Sequence, residues 1–120
     1  MTYAIAYDIG TTGVKTCLFD IDKKIELVSA AHQGYGLYMV GNGGVEQEEE
    51  EWWSAMCSTT AKLLAGSGVK PSEIAGISFC SQMQGLVLTD ESGVPVRRPM
   101  SYMDQRAIRE RMEGMAHGPQ

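Results

Sequence analysis

With 120 residues, 43% of them hydrophobic and 21% charged, the chain has the size of one globular domain and enough apolar material to bury a core. Its formal net charge of −5 excludes a nucleic-acid partner, because phosphate backbones are held by clustered Lys and Arg. The apolar residues fall in short, bounded runs, which excludes the disordered and membrane-spanning classes.

The opening MTYAIAYDIG enters a strand-like run at once. It has no basic region, apolar stretch and cleavage site of a secretory signal, so a cytoplasmic location is expected. β-Forming residues predict a strand over Tyr3–Ile9, a turn over 10–13 and a second strand over 14–20. Residues 20–24 turn the chain again and 25–35 form a third strand, completing an antiparallel meander. Residues 36–45 carry four glycines and read as a loop.

Residues 47–64 have a helical pattern, with Trp52, Met56, Thr59 or Thr60, and Leu63 on one face. Glu48, Glu49, Glu50 and Glu51 fall in its first turn, where unpaired N–H groups and the helix dipole favour negative charge without any metal. Gly66, Gly68 and Pro71 end the helix. Residues 74–80 read as a buried strand which, following a helix, lies parallel to the first strand. Residues 85–89 and 94–97 flank the turn Asp90, Glu91, Ser92, Gly93 and predict a hairpin. A last helix is expected from Asp104 or Gln105 to about Met115. This order predicts an α/β or α+β fold on a mixed sheet.

Cys17, Cys57 and Cys80 are widely spaced and flanked by apolar residues, which points to buried thiols rather than a metal site. His32 and His117 are too few to build one.

The most informative stretch is Asp8-Ile9-Gly10-Thr11-Thr12-Gly13-Val14-Lys15. Gly10 and Gly13 let the backbone bend closely around an anion, and Thr11 and Thr12 add hydroxyl donors. A carboxylate beside phosphates repels them unless Mg²⁺, directly or through its waters, lies between the two; that gives Asp8 a metal role. Lys15 adds positive charge. The alternative is a turn that merely closes a hairpin, with Asp8 capping it. Neither G-x-x-x-x-G-K-[ST] nor G-x-G-x-x-G occurs, so the P-loop and Rossmann classes lose their main support.

DIGTTGVKTCLFD resembles the first phosphate motif of the sugar kinase, Hsp70 and actin superfamily. VEQEEEEWW resembles the segment before the first helix of the FGGY carbohydrate kinases. ISFCSQMQGLVLTDESGVPVRRPMSYMDQRA resembles the xylulokinase stretch in which a Gly-Gln-Met-His-Gly-type signature precedes a hairpin and a Trp-Asn-Asp-Gln-Arg-type signature. The resemblance spans residues 4–107 and implies a ribonuclease H-like, actin-like ATPase fold. It implies ATP and Mg²⁺ as cofactors and a small open-chain sugar or polyol, foremost D-xylulose, as substrate.

Carried over by position, Asp8 matches the metal-associated carboxylate, and Thr11, Thr12, Gly13 and Lys15 match the nucleotide-phosphate loop. Met83 and Gln84 match the sugar-contacting pair, while Asp104 with Arg106 matches the charged signature after the hairpin. Gln84 stands where xylulokinases commonly have His, and Tyr102-Met103 replaces Trp-Asn. The family's catalytic base has no match among these residues. Family members run far longer, so residues 1–120 are expected to be the amino-terminal part of the first kinase domain. Such a piece, inactive alone, would expose apolar surface and tend to self-associate. A non-catalytic actin-like or Hsp70-like assembly module is the competing class, and a plain α+β interaction domain a third. The Met83-Gln84 and Asp104-Arg106 stretches favour the sugar kinase branch.

Overall fold

The computed structural model describes residues 1–116, and the chain divides into two compact units, Met1–Gly36 with Glu49–Gln82, and Leu37–Glu48 with the residues from Met83 onward. Residues 117–120, His117 among them, lie outside the described residues.

The first unit is a four-stranded sheet with a helix on one face. Strands β1 (Tyr3–Ile9), β2 (Gly13–Asp20) and β3 (Glu26–Gly34) form the antiparallel meander that the strand–turn pattern predicts. The later strand of this unit, called β6 below because two short strands precede it, spans Ile74–Ser81 and runs parallel to β1, giving the order β3-β2-β1-β6. A parallel neighbour requires a crossover, supplied by helix α1 (Glu49–Ser67). The helix begins on Glu49, Glu50 and Glu51 and stops before Gly68, whose φ of 71° suits a residue without a side chain.

The core lies between α1 and one face of the sheet. Ile5, Tyr7, Val14 and Leu18 point from the strands at Ala55 and Leu63 of the helix. Thr59 joins them, completely buried, with Trp52 and Met56 half-buried at the margin. Thr59 gives its hydroxyl proton to the Ala55 carbonyl (2.8 Å), so the buried Thr16 hydroxyl donates to Thr59 at 2.8 Å. By the same logic Thr60 donates to the Met56 carbonyl and Tyr7 donates to Thr60 at 2.6 Å. Two hydroxyl bridges thus fix the helix on the sheet with each of the four hydroxyls paired.

Two expectations are corrected in this unit. β6 is an exposed edge strand rather than a buried one, with Ile77 and Phe79 61% and 66% accessible. Among the described residues only β1 pairs with it, and a strand is buried on both faces only when both are covered. The cysteines are likewise not all core: Cys17 is half-buried, whereas Cys57 and Cys80 are exposed. Cys80 sits on that open strand, and Cys57 on a helix face that the sheet does not cover.

The second unit contains what the glycines of 36–45 suggested was a loop. It is instead a small hairpin, β4 (Tyr38–Val40) and β5 (Gly44–Glu46), closed by a 3-10 turn over Gly41–Gly43. Asn42 and Gly43 are left-handed there, at φ of 63° and 79°, which is the backbone a tight hairpin needs and which glycine-rich sequence conceals. The predicted hairpin around Asp90 is present but lightly paired. The Asp90 carboxylate accepts the Ser92 and Val94 N–H groups, and bridges join Thr89 to Pro95 and Leu86 to Met100. The final helix, α2, covers Ile108–Ala116. It starts later than expected because the Asp104 carboxylate accepts the Arg106 N–H in a turn of its own.

Candidate functional site

In the first unit β1 ends at the turn 10–13. Asp8, one residue from the strand end, is exposed and lies opposite Lys15 on β2 and Cys80 on β6. The Cys80 thiol donates to Asp8 Oδ1 at 3.5 Å, and this bond, with burial and the carboxylate's charge behind it, pushes the thiol pKa up. Cys80 is therefore a donor to Asp8.

The turn is closed by Gly10 N–H donating to the Gly13 carbonyl at 2.9 Å. Gly13 is needed for space: a Cβ there would lie 2.8 Å from both the Gln33 carbonyl and His32 Nε2, and 3.1 Å from Gly34 Cα. Thr11 is half-buried, while Thr12 and Lys15 are exposed. Tyr35, which the sequence did not single out, grips the turn. Its hydroxyl donates to the Gly10 carbonyl and its N–H to the Thr12 carbonyl at 3.1 Å. Asp8, Thr11, Thr12, Gly13 and Lys15 are thus assembled on one strand–turn–strand feature.

Met83, Gln84, Asp104 and Arg106 belong to the second unit. Met83 is 78% exposed. Gln84 is exposed and has φ of 65°, an outlier for a side chain that is not Gly, Asn or Asp. It is held there by its surroundings: Leu86 and Met100 exchange both backbone hydrogen bonds at 2.9 Å, and a Cβ at Gly85 would press on the Met100 carbonyl at 3.3 Å.

Asp104 is differently employed. Its side chain, only 4% exposed, accepts the Val45 N–H at 2.8 Å and the Arg106 guanidinium at 2.6 to 3.2 Å. Arg106 also meets Glu46 at 2.9 Å, Arg97 reaches Glu46 at 2.8 Å, and Arg98 pairs with Glu48 while lying 4.3 Å over the Tyr38 ring. Glu46, Arg97 and Arg98 were missed from the sequence. Their only signal was an acid between the glycine-rich stretch and the glutamate run, and an arginine pair far away in the chain.

The hydrogen bond from Arg106 is the main cause holding the Asp104 carboxyl well below the usual carboxylate range, and it also lowers Glu46. A carboxyl depressed in the folded state stabilises above its unfolded pKa, about 4, and that stability is lost as pH falls toward the folded value. The second unit should therefore hold its melting temperature between pH 5 and 8 and lose it progressively below about pH 4. Thermal scans of the chain and of Asp104→Asn check this: an acid limb identical in the two would remove Asp104 as its source.

Among the described residues no helix is long and apolar enough to cross a membrane. The fold is α/β, with a mixed sheet opening on an antiparallel meander, of the actin-like ATPase class. The profile of the FGGY family of carbohydrate kinases, N-terminal domain, matches residues 3–116, and the chain belongs to that family. It is 28% identical to a xylulose kinase of Staphylococcus epidermidis over 85% of this chain and 20% of that protein. It is 35% identical to a glycerol kinase of Ligilactobacillus salivarius, over 87% and 20%. The crystal structure of a xyloylose kinase from Brucella ovis superposes with a TM-score of 0.87 at 30% identity, covering 96% of this chain and 24% of that one. The chain thus spans about a fifth of the length of the curated relatives it matches.

Proposed function

We propose that this segment is the amino-terminal part of the first domain of an ATP-dependent carbohydrate kinase, which transfers the γ-phosphoryl of ATP to a hydroxyl of a small open-chain sugar or polyol. The observation that carries this is the exposed Asp8 carboxylate at the mouth of a turn where Gly13 leaves no room for a side chain. Gly13 lets the turn pack against β3; a short glycine turn with successive N–H groups suits an oxyanion, and the hydroxyls of Thr11 and Thr12 with the Lys15 ammonium favour the same ligand.

The residues fit Mg²⁺ as partner to the nucleotide. Mg²⁺ keeps several waters and takes one or two carboxylates plus phosphate oxygens. Asp8 offers one, and no cluster of three or more His, Cys, Asp or Glu that could hold a metal occurs among the described residues. Bound there, Mg²⁺ would supply neutralisation of charge on the transferring phosphoryl group. Asp8 would hold the ion, directly or through its waters, Thr11 and Thr12 would donate to phosphate oxygens, and Lys15 would screen their charge. The base that accepts the sugar proton is assigned to none of these residues. A cytoplasmic enzyme that self-associates fits the same reading.

Met83 and Gln84 are the proposed sugar contacts, with Asp104 acting on the substrate through the segment it anchors. Xylulose and glycerol kinases both occur among the similar proteins, so substrate choice turns on Gln84. A left-handed glutamine costs about 1 kcal/mol. An amide offers two donors and a carbonyl, whereas neutral histidine offers one donor and one acceptor at a different reach. Leaving a sugar hydroxyl unpaired costs about 1 to 3 kcal/mol, so Gln84→His should change kcat/KM ratios among xylulose, ribulose, glycerol, erythritol and gluconate by about ten-fold or more. The panel is run on an enzyme of the relatives' length carrying this segment. An unchanged ranking would mean that Gln84 does not read the sugar, and no phosphorylation of any member would refute the kinase reading.

A further inference from the structure

We propose that Tyr35 is the positioning residue of the phosphate turn, setting the direction of its N–H groups from outside the motif. The inference rests on the reading of turn 10–13 as a phosphate site and adds a residue to it.

Tyr35 follows the end of β3, 25 residues from Gly10. It takes both carbonyls that the turn presents on that side, Gly10 through its hydroxyl and Thr12 through its N–H at 3.1 Å. All peptide bonds here are trans, so each carbonyl points opposite to the N–H of the same plane. Drawing the Gly10 and Thr12 carbonyls toward Tyr35 therefore turns the N–H groups of Thr11 and Gly13 to the other side. An anion-binding turn requires that kind of alignment of successive N–H groups.

The phenol is suited to a permanent hold. Burial, with the charge of Asp8 adding to it, pushes its pKa up to about 12, so the hydroxyl stays a donor throughout the neutral range. Its ring packs against the core, so the donor comes from a fixed element and not from a mobile side chain. The turn itself is closed by the Gly10 to Gly13 bond. Without the Tyr35 hydroxyl the Gly10 carbonyl loses the partner that fixes its plane.

The test removes one oxygen. Tyr35→Phe keeps the ring and the N–H bond to Thr12. In an enzyme of the relatives' length, the expected result is a KM for ATP raised roughly five-fold, with KM for the sugar unchanged. In the 120-residue chain, hydrogen exchange at residues 10–13 should quicken by a similar factor while α1 keeps its protection. Unchanged KM for ATP in an active enzyme overturns the proposal. So does loss of protection across α1 and β1 together, or equal rises in both KM values, since either marks a merely structural residue. An inactive parent enzyme whose turn still loosens in Tyr35→Phe refutes the kinase reading instead, leaving the hold of Tyr35 on the turn standing.

Discussion

Asp8→Asn, in an enzyme of the relatives' length that carries this segment, lowers kcat by on the order of 100-fold and leaves KM for the sugar nearly unchanged. The amide keeps the shape of the carboxylate and can still accept the 3.5 Å bond from Cys80, so the fold is not the variable. What it loses is the charge that a Mg²⁺ shell requires beside phosphate oxygens. Because that charge acts on the group being transferred, its loss is felt in the transition state more than in the ground state. Asp8 is exposed and bears no core contact, so melting temperature should hardly move. Steady-state kinetics with ATP and sugar both varied measure this. An unaltered kcat with a raised KM for sugar would refute the metal role.

The second large effect is expected at Gly13. In Gly13→Ala the new methyl meets the Gln33 carbonyl at 2.8 Å and Gly34 Cα at 3.1 Å. The His32 ring can turn aside, but backbone cannot, so β2 must part from β3 where they join the turn. Overpacking of this kind costs about 1 to 3 kcal/mol. The displacement falls on the atoms that face the ligand, so KM for ATP should rise by ten-fold or more while the sugar KM stays. Gly66→Ala is the control, since a Cβ there meets nothing and lies within α1. It should stabilise by about 0.5 to 1 kcal/mol. Equal melting temperatures for Gly13→Ala and the parent chain would refute the close-approach argument.

Comparison of the two units shows which signals survive in a sequence. The meander, α1 and the parallel return of β6 were legible, because strand and helix periods are local and a strand after a helix has one economical place to go. The turn between Asp8 and Lys15 was legible for the same reason, as all its residues are adjacent. The β4–β5 hairpin was not, since three residues a side is too short for periodicity and its turn uses a left-handed Asn42. Tyr35 looked like the last apolar residue of a strand.

The sequence by itself determined the fold class and the tight glycine turn with its charged end, all of them set by neighbours a few residues apart. The tertiary structure alone decided the rest. It showed β6 to be an open edge, because exposure depends on which strands lie beside it. It drew Asp104 into the Glu46 and Arg106 cluster, where Val45 lies 59 residues away along the chain. It placed Gln84 in a left-handed conformation that its own chemistry disfavours. Such pairings depend on folding distant segments to within hydrogen-bond range, and neither spacing nor composition encodes that distance.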